Sequence, residues 1–276
     1  MSTLISNHIY NKFGYSLGYY DIFNYSDKKA LSDTEMANVI ECAKDIEQQL
    51  GEKLIIVNQN NPKKFYKTVI NELDKLGKFY QEKNGEFVEV KKIKAYTQDF
   101  DKFVYREPTV VVAITDTINK YRGYGNEEDY DAIRNFSASL TRQNLSLKCG
   151  VISHFVVQLD LDITKLKFTN KGAKLVELSK PSLGHIKTCR SIADDITLAF
   201  GLWDPLTVNV TSYLDYKNLD QMKDNWKFRV LIILKSREGN IQPTMNEIPL
   251  ACDFSRDYIE ELPAPDSLNI TKYFNE

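Results

Sequence analysis

Histidine is scarce in this chain, with three in 276 residues. No His/Cys cluster is present, which argues against a structural or catalytic zinc site. The four cysteines, Cys42, Cys149, Cys189 and Cys252, lie far apart with no C-x-x-C pair. They read as reduced thiols of a cytoplasmic protein rather than as a disulfide framework. No apolar run reaches the roughly 18 residues of a membrane span. The start, MSTLISNHIYNKFGYS, lacks the basic head and long apolar stretch of a signal peptide. Neither sign of charge dominates: 36 Lys and Arg face 38 Asp and Glu, a net charge of -2. That excludes a uniformly basic nucleic-acid coat but leaves room for a local basic strip. What is present is ordinary for a folded protein, with 42% hydrophobic and 12% aromatic residues, and the length is ample for a core.

Helical spacing covers residues 3–12 and 33–50, the second with Met36, Val39, Ile40, Ala43, Ile46 and Leu50 on one face. Ser32 or Asp33 can cap it and Gly51 can end it. LIIVNQ (54–59) has the look of a short strand. Residues 62–83 read as a helix with Pro62 in its first turn, and the charged stretch 84–106 as a surface insertion. TVVVAITD (109–116) is a continuous β-branched run of the kind found in buried parallel strands. A helix near 129–147 follows, then a strand GVISHFVVQLD (150–160) and a polar, lysine-rich loop over 161–190. SIADDITLAFGLW (191–203) leads into a third strand and WKFRVLIILKSREGN (226–240) forms a fourth. EIPLACDF (247–254) and DYIEEL (257–262) read as a closing antiparallel pair. The alternation predicts an α/β fold with a mostly parallel sheet and an antiparallel C-terminal edge.

In open α/β sheets ligands sit beyond the carboxyl ends of the strands. Three strands end in polar side chains: Asp116, Gln158, and Lys235 with Arg237. An aspartate at such a tip can hold Mg²⁺ at a nucleotide phosphate, a neighbouring glutamine can sense the terminal phosphate, and a cation pair can neutralise developing charge. Strands also end in polar residues simply because they end at the surface. Residues 160–190 concentrate Lys165, Lys167, Lys171, Lys174, Lys180, Lys187 and Arg190 against Asp160, Asp162 and Glu177. Either a solvated loop or a track for a phosphate backbone fits that excess. Lys120 and Arg122, in the loop after Asp116, could add to it, while Tyr19, Tyr20, Tyr121 and Tyr124 read as packing or surface residues.

Taken in order, these segments resemble the RecA-like motor domain of DnaB-type replicative hexameric helicases, over Met1 to about Leu262. ISNHIYNKFGYS with ALSDTEMANVIECAKDI is similar to the "L-[ST]-D-E-E" region, and LIIVNQNNPKKFYKTVINEL to the following strand and helix. VVVAITDTINKYRG is similar to the Walker B strand and first loop, VISHFVVQLD to the strand ending in Ser-Gln-Leu, and KPSLGHIKTCRSIADDITLAFGLW to the "R-P-x-L-x-D-L-[RK]-x-S-x-x-I-E-x-D-A-D" stretch. VLIILKSREGN is similar to the "I-I-x-K-x-R-x-G" strand and CDFSRDYIEEL to the final hairpin. The resemblance implies ATP and Mg²⁺ as cofactors, with Asp116 as the metal-binding aspartate. It makes Gln158 the sensor and Lys235 and Arg237 the trans-acting finger at a neighbour's nucleotide. Lys120, Arg122, Lys165, Lys167, Lys171, Lys174, Lys187 and Arg190 become the contacts to single-stranded DNA.

The departures are as informative. Walker A, G-x-x-x-x-G-K-[ST], is absent; the sole Gly-Lys pair is Gly77-Lys78, followed by Phe79. Without that loop there is no backbone cradle for phosphates. The usual Glu and Asp of "I-E-x-D" are Ala193 and Asp195, the usual Ser before the sensor is Val157, and the helical collar is missing. Two expectations follow. One is a P-loop-lacking, partial motor domain over 1–262 with a tail at 263–276, completed by a helicase fragment that supplies the P-loop in a homo- or hetero-oligomer. The other is a catalytically degenerate paralogue that binds DNA or a helicase ring as a scaffold. Neither involves a membrane. A RecA-type recombinase fits less well, because the Lys-x-Arg strand suits ring helicases.

Overall fold

Of the two caps the sequence offers, Ser32 and Asp33, Ser32 is the one used, and it forms a complete capping box. The Ser32 hydroxyl accepts from the Glu35 N–H, and the Glu35 carboxylate accepts from the Ser32 N–H at 2.8 Å, so two orphan donors are satisfied at once. In this computed structural model the residues described are 2–15, 17, 22, 31–90, 100–123, 125–162, 165–167, 171–187, 189–237, 239, 246–255 and 258–274. Tyr19, Tyr20 and Tyr124 lie outside them. The chain divides into two compact units. One, the unit of strands β4 (Val112–Asp116) and β5 (Ile152–Val156), holds residues 56–161 and 181–199; the other, the unit of strands β7 (Trp226–Ser236) and β8 (Glu247–Asp253), holds 1–55, 162–180 and 200–276.

In the β7–β8 unit, α1 (Ser2–Phe13) and α2 (Asp33–Leu50) bury Ile5, Ile9, Cys42 and Ile46 between them. A four-stranded sheet runs in the order β6 (Leu198–Trp203), β7 (Trp226–Ser236), β8 (Glu247–Asp253), β9 (Tyr258–Glu261). β7 pairs β8 antiparallel and β8 pairs β9 antiparallel, as the closing pair was read. Alternate residues of β7, Trp226, Phe228, Val230 and Ile232, enter a core with Trp203 and Ala251, the period-2 pattern of a half-buried strand. The segment after β9 is tied down: Tyr216 Oη donates to the Pro263 carbonyl at 2.7 Å and the Lys223 N–H to the Tyr273 carbonyl at 2.8 Å.

The β4–β5 unit is built on α3 (Pro62–Leu76), capped by Asn61 and with Pro62 at its start. It ends at Leu76, seven residues short of the helix read to 83, because Gly77 opens strand β1 (Gly77–Lys83). β1 turns through Asn84-Gly85, both at positive φ (54° and 85°), into β2 (Glu86–Glu89). It also pairs β3 (Lys102–Tyr105), giving an antiparallel order β2-β1-β3. The stretch read as a surface insertion thus supplies Phe100 and Phe103 to the core beside Phe79. LIIVNQ forms no strand; Leu54, Ile55 and Ile56 are exposed.

β4 (Val112–Asp116) and β5 (Ile152–Val156) pair in parallel, in register Val112↔Ile152 to Asp116↔Val156. α4 (Asp129–Asn135) joins them, continuing as a π-helix over Phe136–Lys148. Its buried residues come in pairs, 136/137, 140/141 and 144/145. Short helices α5 (Gly172–Ser179) and α6 (Ile192–Asp195) complete the order, α5 lying inside the stretch read as loop.

The mixed α/β class holds, but the mostly parallel sheet does not. Among the described residues the parallel sheet has two strands, β4 and β5, while β1 to β3 and β7 to β9 pair antiparallel. Connection length explains part of this. Two-residue and other short links allow only antiparallel neighbours, whereas the β4-to-β5 connection holds a crossover helix.

Candidate functional site

β4 runs apolar through Ile114, then through buried Thr115 to Asp116, and turns sharply. Thr117 leads a 3₁₀ turn, Ile118–Lys120, whose Lys120 N–H returns to the Thr117 carbonyl at 3.0 Å. Ile118 is fully buried and Tyr121 nearly so. The Tyr121 ring meets Phe136 edge-on at 5.1 Å and Phe65 at 6.4 Å. Burial pushes the Tyr121 hydroxyl up to about 12, against an opposing hydrogen bond with Thr115. The two buried flanks anchor the turn in the core and leave Lys120 exposed and Asn119 half-buried.

Asp116 stands beside Val156 across the parallel pair, and Gln158 lies two residues further along the second chain. Both side chains are exposed, and neither has a hydrogen-bond or ion-pair partner among the described residues. The strand face leading to Asp116 is open: Val112, Ile114, Ile152 and Val156 are exposed, with exposed His154 beside Ile114 among them. The opposite face, through Ala113 and Phe155, packs on the core.

The backbone of Gln158 is fully engaged. Its N–H donates to Asn119 Oδ1 at 2.5 Å, and its carbonyl accepts the Lys187 N–H at 3.1 Å. Next to it, Leu159 and Ile186 form an antiparallel bridge, and the Asp160 N–H donates to the His185 carbonyl at 2.6 Å. The two ends of the basic segment are therefore knitted together directly behind Gln158.

Lys165, Lys167, Lys171 and Lys174 are exposed and fall in the β7–β8 unit, whereas Lys120, Lys187 and Arg190 are exposed in the β4–β5 unit. Arg122 is less available. Its Nη1 donates to the carbonyls of Asn119 and Tyr121 at 3.2 and 3.0 Å, and its Nε lies 3.5 Å from Asp129. Asp129 also accepts the Gly123 N–H, and a Cβ at Gly123 would stand 1.8 Å from the Glu127 carbonyl oxygen. Only glycine fits there.

Lys180 is not a free cation. It bonds Glu177 and Glu247 at 2.9 Å each, with Tyr213 Oη donating to Glu247 at 2.6 Å and the Trp203 and Tyr213 rings beside the ammonium. Burial alone would lower its affinity for the proton, but Tyr213, Glu177 and Glu247 together outweigh it and hold the ammonium above its ordinary value.

Lys235 belongs to β7, and Arg237 follows the strand's end. Both lie in the β7–β8 unit and in a different sheet from Asp116 and Gln158. The expected row of three adjacent tips in one sheet thus reduces to two, the acid and the amide. The reason is that β7 is flanked by β6 and β8, leaving no place for β5.

No group of three or more His, Cys, Asp or Glu side chains converges among the described residues, so an all-protein cation cage is not what these residues offer. A single open carboxylate suits Mg²⁺, which keeps most of its waters and takes one or two carboxylates plus phosphate oxygens. Asp116 fits that part. Sequence reading missed Asn119, for which spacing offers no cue: an asparagine in a polar loop carries its meaning only when its two partners are known. No protein-family model matches the chain, and no curated protein matches it. No helix among the described residues is long and apolar enough to cross a membrane.

Proposed function

We propose that this chain is the phosphate-sensing and single-stranded-DNA-tracking part of a DnaB-like ring helicase motor, working with ATP and Mg²⁺ once a P-loop-bearing fragment supplies the phosphate cradle. The observation that carries the reading is the position of Gln158. Its side chain is free at a parallel-strand tip beside Asp116, while its backbone closes the neck of the lysine-rich segment. The carboxamide thus stands two residues before Asp160, where the segment that carries the cations begins. Asp116 would hold Mg²⁺, which screens phosphate charge when bound. Gln158 would reach the terminal phosphate, and Lys165, Lys167, Lys171, Lys174, Lys187, Arg190 and Lys120 would track the DNA backbone, which needs cations and no base readout. Lys235 and Arg237 would serve a neighbour's nucleotide in a homo- or hetero-oligomer. The open, largely apolar face of β4 and β5 supports the same view, because parallel sheets are ordinarily covered on both sides.

A second reading is favoured by the absence of G-x-x-x-x-G-K-[ST] from the sequence: a DNA-binding or ring-binding scaffold that hydrolyses nothing. Fluorescence anisotropy with labelled oligothymidine separates the two. The motor reading expects a non-hydrolysable ATP analogue with Mg²⁺ to change DNA affinity once a P-loop-bearing helicase fragment is added. Gln158→Ala should abolish that change while keeping DNA binding, and Arg237→Ala should abolish hydrolysis in the mixture. DNA binding indifferent to nucleotide under every mixture would leave the scaffold. No DNA binding at all would overturn the motor reading and leave only a ring-binding scaffold.

A further inference from the structure

Asn119 makes two hydrogen bonds that run in opposite senses. Its Oδ1 accepts from the Gln158 N–H, and its Nδ2 donates to the Lys187 carbonyl at 2.8 Å. The partners fix which atom is which, because an N–H needs an acceptor and a carbonyl needs a donor. Gln158 and Lys187 are themselves joined by the Lys187 N–H to the Gln158 carbonyl, and the Leu159–Ile186 bridge follows. One carboxamide thus pins both strands of the neck to the turn after β4. That turn is rigid, held by buried Ile118 and Tyr121. The Asn119 carbonyl is occupied as well, by Arg122 Nη1 at 3.2 Å.

We propose that Asn119 is a positioning residue, a clamp that sets how the two ends of the cationic segment leave the Gln158 tip and so how that segment is presented to a polyanion. The DNA part of this statement rests on the function proposed above; the clamp itself does not. The carboxamide offers an acceptor oxygen and a donor nitrogen on one planar group, and Gln would add a methylene that displaces both. Aspartate keeps the acceptor for Gln158 and loses the donor for Lys187, which makes it a half-clamp.

The experiment compares the full chain with Asn119→Ala and Asn119→Asp, reading amide hydrogen exchange and oligothymidine affinity over a salt series. In Asn119→Ala the amides of Gln158, Asp160 and Lys187 should exchange about tenfold faster, the scale of one to two lost hydrogen bonds. In Asn119→Asp at neutral pH the Gln158 amide should stay protected while those of Asp160 and Lys187 lose protection. DNA affinity should fall in both variants with the slope against salt unchanged, since no cation has been removed. Amides of β7 and β8 serve as the folding control. Unchanged neck exchange in Asn119→Ala overturns the clamp whatever the DNA result. A wild-type chain that ignores oligothymidine but shows the exchange pattern retains the clamp and removes the DNA reading. Equal loss at all three amides in Asn119→Asp overturns the divided role assigned to the two carboxamide atoms.

Discussion

Cys149 shows how one atom's surroundings become a pH dependence. The thiol is buried in the core, and the Cys149 backbone carbonyl accepts from Tyr105 Oη at 2.9 Å. Burial pushes its pKa from the ordinary 9.0 up to about 12, with Lys148 pulling weakly the other way. A folded-state value above the unfolded one favours the protonated folded form. The associated stability is complete below about pH 9 and drains away as pH climbs toward about 12. Thermal unfolding followed across that window should show a falling midpoint in the wild type and a shallower fall in Cys149→Ala, which has nothing to titrate there. Parallel falls in the two proteins would refute the assignment. Because all four cysteines are buried and free, a thiol reagent at neutral pH should label none of them until the chain unfolds.

Elements differ in how much of their stability is local. α2 carries its own start signal, and loss of the Ser32 hydroxyl removes the acceptor for the Glu35 N–H. Ser32→Ala should cost about 1 kcal/mol, the usual cost of a lost N-cap, measured by denaturant titration; a change of a tenth of that would mean the box is ornamental. β1 and β2 are equally local, because Asn84-Gly85 is the strongest short-range hairpin signal a sequence can hold. It was legible in the residues, yet the surrounding charge drew the stretch 84–106 into a surface reading. α3 was read past its end for the opposite reason: apolar residues such as Phe79 keep a helical spacing, and only the pairing of Gly77 with Tyr105 shows that the chain has become a strand. The π-helix after Phe136 was invisible, since its buried pairs fit an ordinary helical stripe almost as well.

At the scale of the whole molecule, a net charge of -2 means that affinity for a polyanion has to come from the local cations. For single strands the slope of log affinity against log salt is about 0.7 per phosphate neutralised, so seven contacts from Lys120, Lys165, Lys167, Lys171, Lys174, Lys187 and Arg190 predict a slope of about -5. Lys174→Ala should reduce its magnitude by about 0.7. Lys180→Ala should leave it untouched and instead lower the melting temperature, because that ammonium serves Glu177 and Glu247. If Lys180→Ala changes the slope as much as Lys174→Ala, the division between tracking and structural lysines is wrong. The chain crosses between the two units four times, after residues 55, 161, 180 and 199. A single proteolytic cut therefore cannot separate the units as intact chains.

Residue types and short-range spacing alone settled the helix that starts at Ser32 or Asp33, the strand ending in Asp116, the strand before Gln158 and the closing hairpin. Each of these is decided by groups within a few residues of one another. Which strands become neighbours was decided only in three dimensions. β7 took β6 and β8 as partners, so Lys235 and Arg237 joined one sheet while Asp116 and Gln158 joined another. Asn119 belongs to the same class. Its role depends on the Gln158 N–H, 39 residues away, and the Lys187 carbonyl, 68 residues away. No local pattern encodes a hydrogen bond across that separation, because the chain must first close the loop that brings the groups together.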